Sequence, residues 1–375
     1  MTASLQANDS GVGAVLYMAF ELSDKKWRLA FGNGNRQRQT VIPAGALDEL
    51  REQIDKAKEK WSLPADTKVV TCYEAGRDGF WLHRQLAAWG IVNHVVDAAS
   101  IEVARRARRA KTDRLDAQGL LEKLIRYANG ERRVWRVVRV PDMQWEDLRQ
   151  LHRERDELKK EVNAVRNRLT SKLVAQGLRL VPGKDFLERL DALRLFDGSA
   201  LPEHLKAGLR REYERLQLAQ AQKRAVERSI RTLIESEAGL EQVRALMLLP
   251  GIGWVGAWTL VAELFGWREI RNRRELAALV GLVPVPYNSG GMEREQGISK
   301  AGNRRARALM IQLAWLWLRY QPHSKHSRWF RERFGGGSKR QRRIGIVALA
   351  RRLVIDLWRF AENGLVPEGT RLKIA

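Results

Sequence analysis

Residues 14–42 read AVLYMAFELSDKKWRLAFGNGNRQRQTVI, and the pattern of this stretch decides the first part of the fold. Ala14 to Phe20 is an apolar run suited to a strand, and Ser23-Asp24-Lys25-Lys26 makes a turn. Trp27 to Phe31 is a second strand, and Gln39 to Ile42 a third beyond Gly32-Asn33-Gly34-Asn35. Short strands linked by such turns form a meander. Working outward, apolar spacing predicts a helix over about Gly45 to Trp61, a strand from Lys68 to Tyr73, a helix from Gly79 to Trp89 and a strand from Ile91 to Val96. A helical stretch follows, from about Ala98 or from beyond the basic run after it, and ends at Tyr127.

Three hairpin strands followed by β-α-β-α is the element order of ribonuclease H-like domains, an analogy of fold alone. Residues 132–140, RRVWRVVRV, then alternate basic and apolar until Pro141 closes the segment. Beyond it, Trp145, Leu148, Leu151, Leu158, Val162, Val165, Leu169 and Leu173 keep spacings of three, four or seven, the seam of a long helix or coiled coil. The pattern breaks near Gly177 to Gly183, and a second charged helix is expected over about Pro202 to Glu237. The pair would make a helical hairpin or a dimerisation arm. A last compact unit is expected from about Gly239 to Tyr320, then a basic linker containing GGGSKRQRR and a closing amphipathic helix from Ile344 to Phe360. The expected fold class is therefore α/β plus all-α. Its divisions are an N-terminal domain over 1–135, a helical spacer over 141–238, a mainly α domain over 239–330, and a linker with a C-terminal helix over 331–375.

Charge narrows the partners. With 68 Lys+Arg against 44 Asp+Glu, a formal charge of +24 and a pI near 10.7, the chain concentrates polyanions and releases counterions on binding them. Nucleic acid leads, and DNA is the first candidate. No run of about 18 apolar residues is present, and MTASLQANDSG lacks the features of a secretory signal. The expectation is a soluble, cytoplasmic, nucleoid-associated protein with no membrane partner. Cys72 is the single cysteine. It excludes an intrachain disulfide and a multi-cysteine zinc site, and its apolar neighbours suggest a buried strand residue.

Four acids stand out in the first domain. Glu21 and Glu74 end strands, while Asp113 and Asp116 share one face of a helix by their i,i+3 spacing. Carboxylates brought together from such positions suit Mg2+ and in-line chemistry on a phosphodiester. In a chain with 44 Asp+Glu, a solvated surface charge is the plainer reading of each. Arg105, Arg106, Arg108, Arg109 and Lys111 are equally a nucleic-acid-binding strip beside the acids or a solvated helix face.

Further along, Leu249-Pro250-Gly251-Ile252-Gly253 before a helical run fits a helix-hairpin-helix, in which Gly251 and Gly253 let backbone N–H groups approach a phosphate. A tight turn between two core helices is the plainer reading. Ser289 lies between a Pro-rich turn and Gly290-Gly291, and His323 and His326 sit too far along, in a polar turn, to suggest a hydrolase triad. As a nucleophile on phosphorus it needs cations nearby. Lys300, Arg304 and Arg307 are expected on one face of the following helix, with Asn303 adjacent. Residue type alone leaves Ser289 as a turn residue. Trp315 and Trp317, in AWLWLRY, either stack on bases or pack in a core.

Taken in order, these features resemble the DEDD recombinases of the insertion-sequence "one-ten" family, including its subgroup guided by a bridge RNA or seek RNA. The likeness covers nearly the whole chain, and its most specific part is GLVPVPYNSGGMEREQGISKAGNRRARALM, residues 281–310. It implies a RuvC-like N-terminal domain, a coiled-coil spacer and a C-terminal transposase domain. By transfer Ser289 is the nucleophile, and Glu74, Asp113 and Asp116 are metal-binding acids for Mg2+. Glu21 departs from the pattern, since that position is usually Asp; the carboxylate is kept on a longer arm, and Asp24 is a weaker substitute. The resemblance further implies a phosphoserine intermediate, a noncoding guide RNA, and a dimer or tetramer in which acids and serine form one site. Two other readings stay open on the residues alone: a RuvC-like endonuclease without covalent serine chemistry, and a noncatalytic nucleic-acid scaffold.

Overall fold

The computed structural model describes residues 14–102, 112–289 and 292–373, with the backbone alone at 287–289 and 292–296. The chain divides into two compact units, one ending at Val140 and one beginning at Pro141. Among the described residues no helix is long and apolar enough to cross a membrane.

The first unit is a five-stranded sheet with helices on both faces. Strands β1 (Val15–Leu22), β2 (Lys26–Gly32) and β3 (Gln37–Pro43) form the expected antiparallel meander. Helix α1 (Leu47–Lys60) leads to β4 (Lys68–Glu74), which pairs parallel to β1 on its free side. Helix α2 (Trp81–Ala88) leads to β5 (Val92–Val96), parallel to β4, so the strand order is β3-β2-β1-β4-β5. Both parallel connections pass through a helix, as geometry requires of same-direction neighbours. Alternation sorts the two faces. Leu16, Met18 and Phe20 pack with Leu50 and Ile54 of α1 and Leu82 and Leu86 of α2. On the other face Ala19, Ala30, Val70 and Cys72 meet Leu120, Leu121 and Leu124 of α3 (Asp113–Ala128). Cys72 is fully buried there, as expected, and burial pushes its thiol well above its ordinary value. Of the helical stretch expected from Ala98, only a 3-10 turn (Ala98–Ser100) precedes α3 among the described residues. Residues 134–138 run irregularly beside β5, through an antiparallel bridge from Val137 to Val96.

The second unit begins with a hairpin of two long helices, α4 (Met143–Val174) and α6 (Glu203–Ser236). The short α5 (Phe186–Ala192) lies in the turn between them. The heptad-like residues of α4 form the seam: Val162, Val165, Leu169 and Leu173 pack with Leu209, Tyr213 and Leu216 of α6 and with Phe186. Leu148 and Leu158, with Val226 and Ile230, join a larger core. That core also takes in α7 (Glu241–Met247), α8 (Trp254–Leu260), a π-helical turn (Val261–Phe265), α9 (Arg273–Val280), α10 (Arg304–Tyr320), α11 (Lys325–Phe334) and α12 (Lys339–Asn363).

Three features depart from the expected helical unit. An antiparallel hairpin, β6 (Pro284–Ser289) with β7 (Met292–Ile298), stands where a Pro-rich turn was expected. The polar turn around His326 is helix α11, and His326 is buried with its Nε2 2.7 Å from Asp356 Oδ2 on α12. The supposed linker KRQRR is the start of α12, because Ser338 and Gln341 close a capping box.

Candidate active site and nucleic-acid interface

The register of the sheet fixes where the strand-end acids go. Ala19 pairs with Cys72 and Phe20 with Tyr73 across β1 and β4. The next rung therefore brings Glu21 beside Glu74, on strands about 4.8 Å apart. Because side chains alternate, Glu21 follows Ala19 and Glu74 follows Cys72 onto the face that α3 covers. On the antiparallel side, Glu21 is paired with Arg28 of β2.

Helix α3 brings the other two acids toward that end. Ile125 lies against Gly32, at the Tyr17 rung, and the Leu120 carbonyl lies 3.9 Å from Cys72 Sγ, at the Ala19 rung. Going back toward its N-terminus the helix advances toward the Glu21 rung, and Asp113 and Asp116 occupy its first turn. Thr112 caps this end by accepting from Leu115 N at 3.4 Å, and carboxylates in a first turn are stabilised by the helix dipole. Gln39 Nε2 donates to Arg114 O at 3.2 Å, which draws the start of α3 to the β3 side of β1. Glu74 lies on the opposite side of β1. Among the described residues no group of three or more His, Cys, Asp or Glu side chains is placed to hold a metal ion. The sheet register sets Glu21 beside Glu74, while the first turn of α3, with Asp113 and Asp116, is held toward β3, and the four do not form a ligand cluster. Asp24, the substitute for Glu21, forms an ion pair with Arg77 and raises the guanidinium's pKa through that hydrogen bond. Asp97, which sequence reasoning passed over, follows β5 at the same end of the sheet, but its carboxylate accepts from Ala99 N at 3.1 Å and caps the 3-10 turn.

Arg105, Arg106, Arg108, Arg109 and Lys111 lie outside the described residues. In the second unit, Ser289 is the last residue of β6 and pairs with Met292, so its backbone sits at the turn end of the hairpin. The base of that hairpin is tied to α9. Ser299 N donates to Val283 O at 2.8 Å, Lys300 N to Gly281 O at 3.2 Å and Asn303 N to Leu279 O at 2.7 Å.

Lys300 is corrected in placement: it lies before α10 with φ 56°, in a left-handed turn, and shares no helix face with Arg304 and Arg307. Arg307 is a fold residue, its Nη1 donating to Val280 O at 3.2 Å and Ala301 O at 3.4 Å. Asn303 caps α10 through Ala306 N (3.0 Å) and donates to Glu263 Oε2 at 2.7 Å. Only Lys300 and Arg304 of this group are exposed.

Gly251 has φ 96°, and a Cβ there would lie 3.3 Å from Tyr320 Cβ, so packing against α10 requires this glycine. The carbonyls around the α7–α8 turn are occupied: Gln321 Nε2 donates to Pro250 O at 3.3 Å and Lys373 N to Leu248 O at 2.7 Å. Gly253 is the N-cap of α8 and has open space at its Cβ position. Trp317 is buried, with Nε1 donating to Ser324 Oγ at 2.9 Å, whereas Trp315 is 44% exposed.

Sequence reasoning also missed Glu263, 1% exposed within the π-helical turn. Besides Asn303 it faces Arg149 Nη2 at 3.8 Å and Arg153 Nε at 4.0 Å, both from α4. The signal was available, a lone acid in the apolar run TLVAELFGW.

Comparison with known proteins follows the same two regions. Residues 34–176 match a family model named DEDD_Tnp_IS110 and described as a transposase. Residues 243–328 match a model described as the IS116/IS110/IS902 transposase family. Across 96% of its length the chain is 40% identical to y4rJ, a candidate transposase of Sinorhizobium fredii, covering 95% of that protein. It is 28% identical, over 79% of each chain, to the transposase for insertion sequence element IS1111A of Coxiella burnetii. To the transposase for element IS1328 of Yersinia enterocolitica it is 25% identical over 84% of this chain and 91% of the relative. Glu74, Asp113 and Asp116 fall within the first matched region and Ser289 within the second, while Glu21 precedes both.

Proposed function

The chain belongs to the IS116/IS110/IS902 family of transposases, enzymes of DNA transposition, and from that premise we propose that it moves an insertion sequence by serine attack on DNA phosphodiesters, with Mg2+ held by Glu21, Glu74, Asp113 and Asp116. The observation that carries the reading is the shared register of Glu21 and Glu74 on the sheet face whose covering helix opens with Asp113 and Asp116. This all-carboxylate donor set fits a hard divalent cation in type. When bound, Mg2+ supplies charge stabilisation at the phosphate oxygens. The strand order β3-β2-β1-β4-β5 supports a ribonuclease H-like, RuvC-like reading of the first unit.

Ser289 is the proposed nucleophile in the second unit. Its Oγ–P bond forms as the scissile P–O bond breaks; the hydroxyl proton leaves to a base, and the departing oxygen takes up a proton. The phosphoserine ester keeps the bond energy for rejoining without a nucleotide cofactor. Exposed Lys300 and Arg304 oppose the phosphate charge on this reading, and the Gly251 and Gly253 backbone and the basic strip of residues 105–111 contact the sugar-phosphate chain. A noncoding RNA encoded by the element supplies the sequence match by base pairing, and the protein acts as a dimer or tetramer.

The test is a trapping assay with purified protein, its copurified RNA, Mg2+ and element-junction DNA. A protein–DNA adduct that survives denaturation is expected from the native chain and is lost in Ser289→Ala, in Asp113→Ala and on adding a chelator. Free cut ends that persist in Ser289→Ala replace this reading with a hydrolytic nuclease. Digesting the RNA first is expected to abolish the adduct; undiminished, sequence-specific adduct after digestion removes the guide from the proposal.

A further inference from the structure

Between α4 and α6, in the second unit, lies an open groove of about 390 Å3. Five cations line it: Arg155, Lys159 and Arg166 from α4, and Lys223 and Arg224 from α6. Asn163 and Gln220 add amides, and Val162 is the one apolar side chain. Two acids answer them, and one of these, Asp156, accepts from Arg155 Nη1 at 3.2 Å. Glu227 accepts from Arg155 Nε at 3.2 Å and pairs with Lys223 Nζ at 2.9 Å. Lys159, Arg166 and Arg224 make no ion pair among the described residues. The Arg155–Glu227 contact also sets the register, so that one turn along each antiparallel helix brings Lys159 across from Lys223, like charge facing like charge.

Elsewhere on the hairpin the clustered cations converge on a buried acid. Near its turn, Glu212 is shared by Arg168 (3.1 Å), Lys172 (3.6 Å) and Arg215 (3.5 Å), and these contacts hold its carboxyl below the ordinary value although its burial acts the other way. At the other end of α4, Arg149 and Arg153 face Glu263. The middle of the hairpin differs in that three of its cations, Lys159, Arg166 and Arg224, pair with no acid among the described residues, in a concave surface that also offers amide N–H donors. We propose that this groove holds the sugar-phosphate backbone of the DNA duplex on which transposition acts. Guanidinium, ammonium and amide donors are the groups that position a phosphate backbone, and they carry no base information. The groove is thus a positioning surface on a hairpin whose sequence read only as a packing or dimerisation seam. The proposal needs DNA as the partner and is independent of the chemistry assigned to Ser289.

The experiment measures affinity of the full-length chain for a short DNA duplex of random sequence across a range of salt. Combined substitution Lys159→Ala, Arg166→Ala and Arg224→Ala is expected to lower the slope of log K against log salt by about 2 to 3, since each phosphate contact contributes about 0.9. Lys160→Ala, Lys184→Ala and Arg211→Ala, outside the groove, form the control and leave the slope in place. Removing like charges from one groove is expected to leave the thermal midpoint of the free protein no lower. Ser289→Ala is expected to show the native slope, so failure of the serine reading and failure of the groove are separable. An unchanged slope in the groove variant, an equal change in the control, or a defect confined to an RNA duplex of the same sequence overturns the proposal.

Discussion

Gly302 and Gly281 show how single residues set the base of the serine hairpin. Both have left-handed φ, 87° and 71°, and both lie where two backbones meet. A Cβ on Gly302 would stand 2.3 Å from Leu279 O, and one on Gly281 would stand 1.9 Å from Ala301 O. Neither partner is a side-chain tip that can swing away. Gly302→Ala is therefore expected to destabilise the second unit by about 2 to 4 kcal/mol, through strain at φ and displaced backbone together, read as a lower urea midpoint. A midpoint within about 0.5 kcal/mol of native would mean that this loop relaxes freely. Glu263 is the matching polar case. Glu263→Ala leaves Asn303, Arg149 and Arg153 facing an empty buried site, with an expected loss of about 3 to 5 kcal/mol. Glu263→Gln retains an acceptor for Asn303 Nδ2 and is expected to lose clearly less; equal losses would show that packing, not the carboxylate, matters.

Helix α12 shows how local signals decide an element and how they are overlooked. Its first two turns carry Lys339, Arg340, Arg342 and Arg343, all exposed, at the end where the dipole disfavours cations. The capping box of Ser338 and Gln341 offsets this, so Ser338→Ala is expected to cost about 1 kcal/mol and to speed hydrogen exchange in the first turn, more so at low salt. Unchanged exchange would mean that the core residues Ile346 and Leu349 hold the helix alone. GGGSKRQRR reads as a linker when glycines and charge are weighed before the Ser-x-x-Gln spacing. The same emphasis hid α11, whose Trp329, Phe330 and Phe334 pack on the core and whose buried His326 meets Asp356 through Nε2. Strands β6 and β7 escaped because Pro284, Pro286 and charged Glu293-Arg294-Glu295 give no period-two alternation. In the sheet of the first unit, by contrast, both faces are covered and the apolar runs are dense, so β1 to β5 were legible almost to the residue. The acids at the strand ends were legible too, in type. The placement of Asp113 and Asp116 was not, because the course of α3 depends on where Leu120 and Ile125 seat, which spacing does not reveal.

At the scale of the whole molecule, the chain is a strongly positive protein whose stability is expected to depend on pH through one buried and two half-buried imidazoles. His83 and His94 in the first unit and His152 in the second are all held below the ordinary value of 6.5, in each case chiefly by burial. At His152 burial prevails over the pull of Asp156 and Glu263, and its Nε2 is 3.7 Å from Asp156 Oδ2, too long for a hydrogen bond that would favour the cation. A depressed folded pKa means that the unfolded chain takes up the proton first. The stabilisation is whole above pH 6.5 and is lost as pH falls through that value toward the folded pKa. Thermal midpoints are therefore expected to fall between pH about 7.5 and pH about 5.5. General repulsion acts in the same direction, because protonating up to six histidines adds to a charge of +24. Salt separates the two: at 1 M the Debye length is about 3 Å, which removes the long-range repulsion and leaves the buried imidazole. In high salt, then, the pH dependence of the second unit is expected to persist in the native chain and to flatten in His152→Gln. A flat native profile at high salt would assign the acid sensitivity to net charge and leave His152 without a part in it.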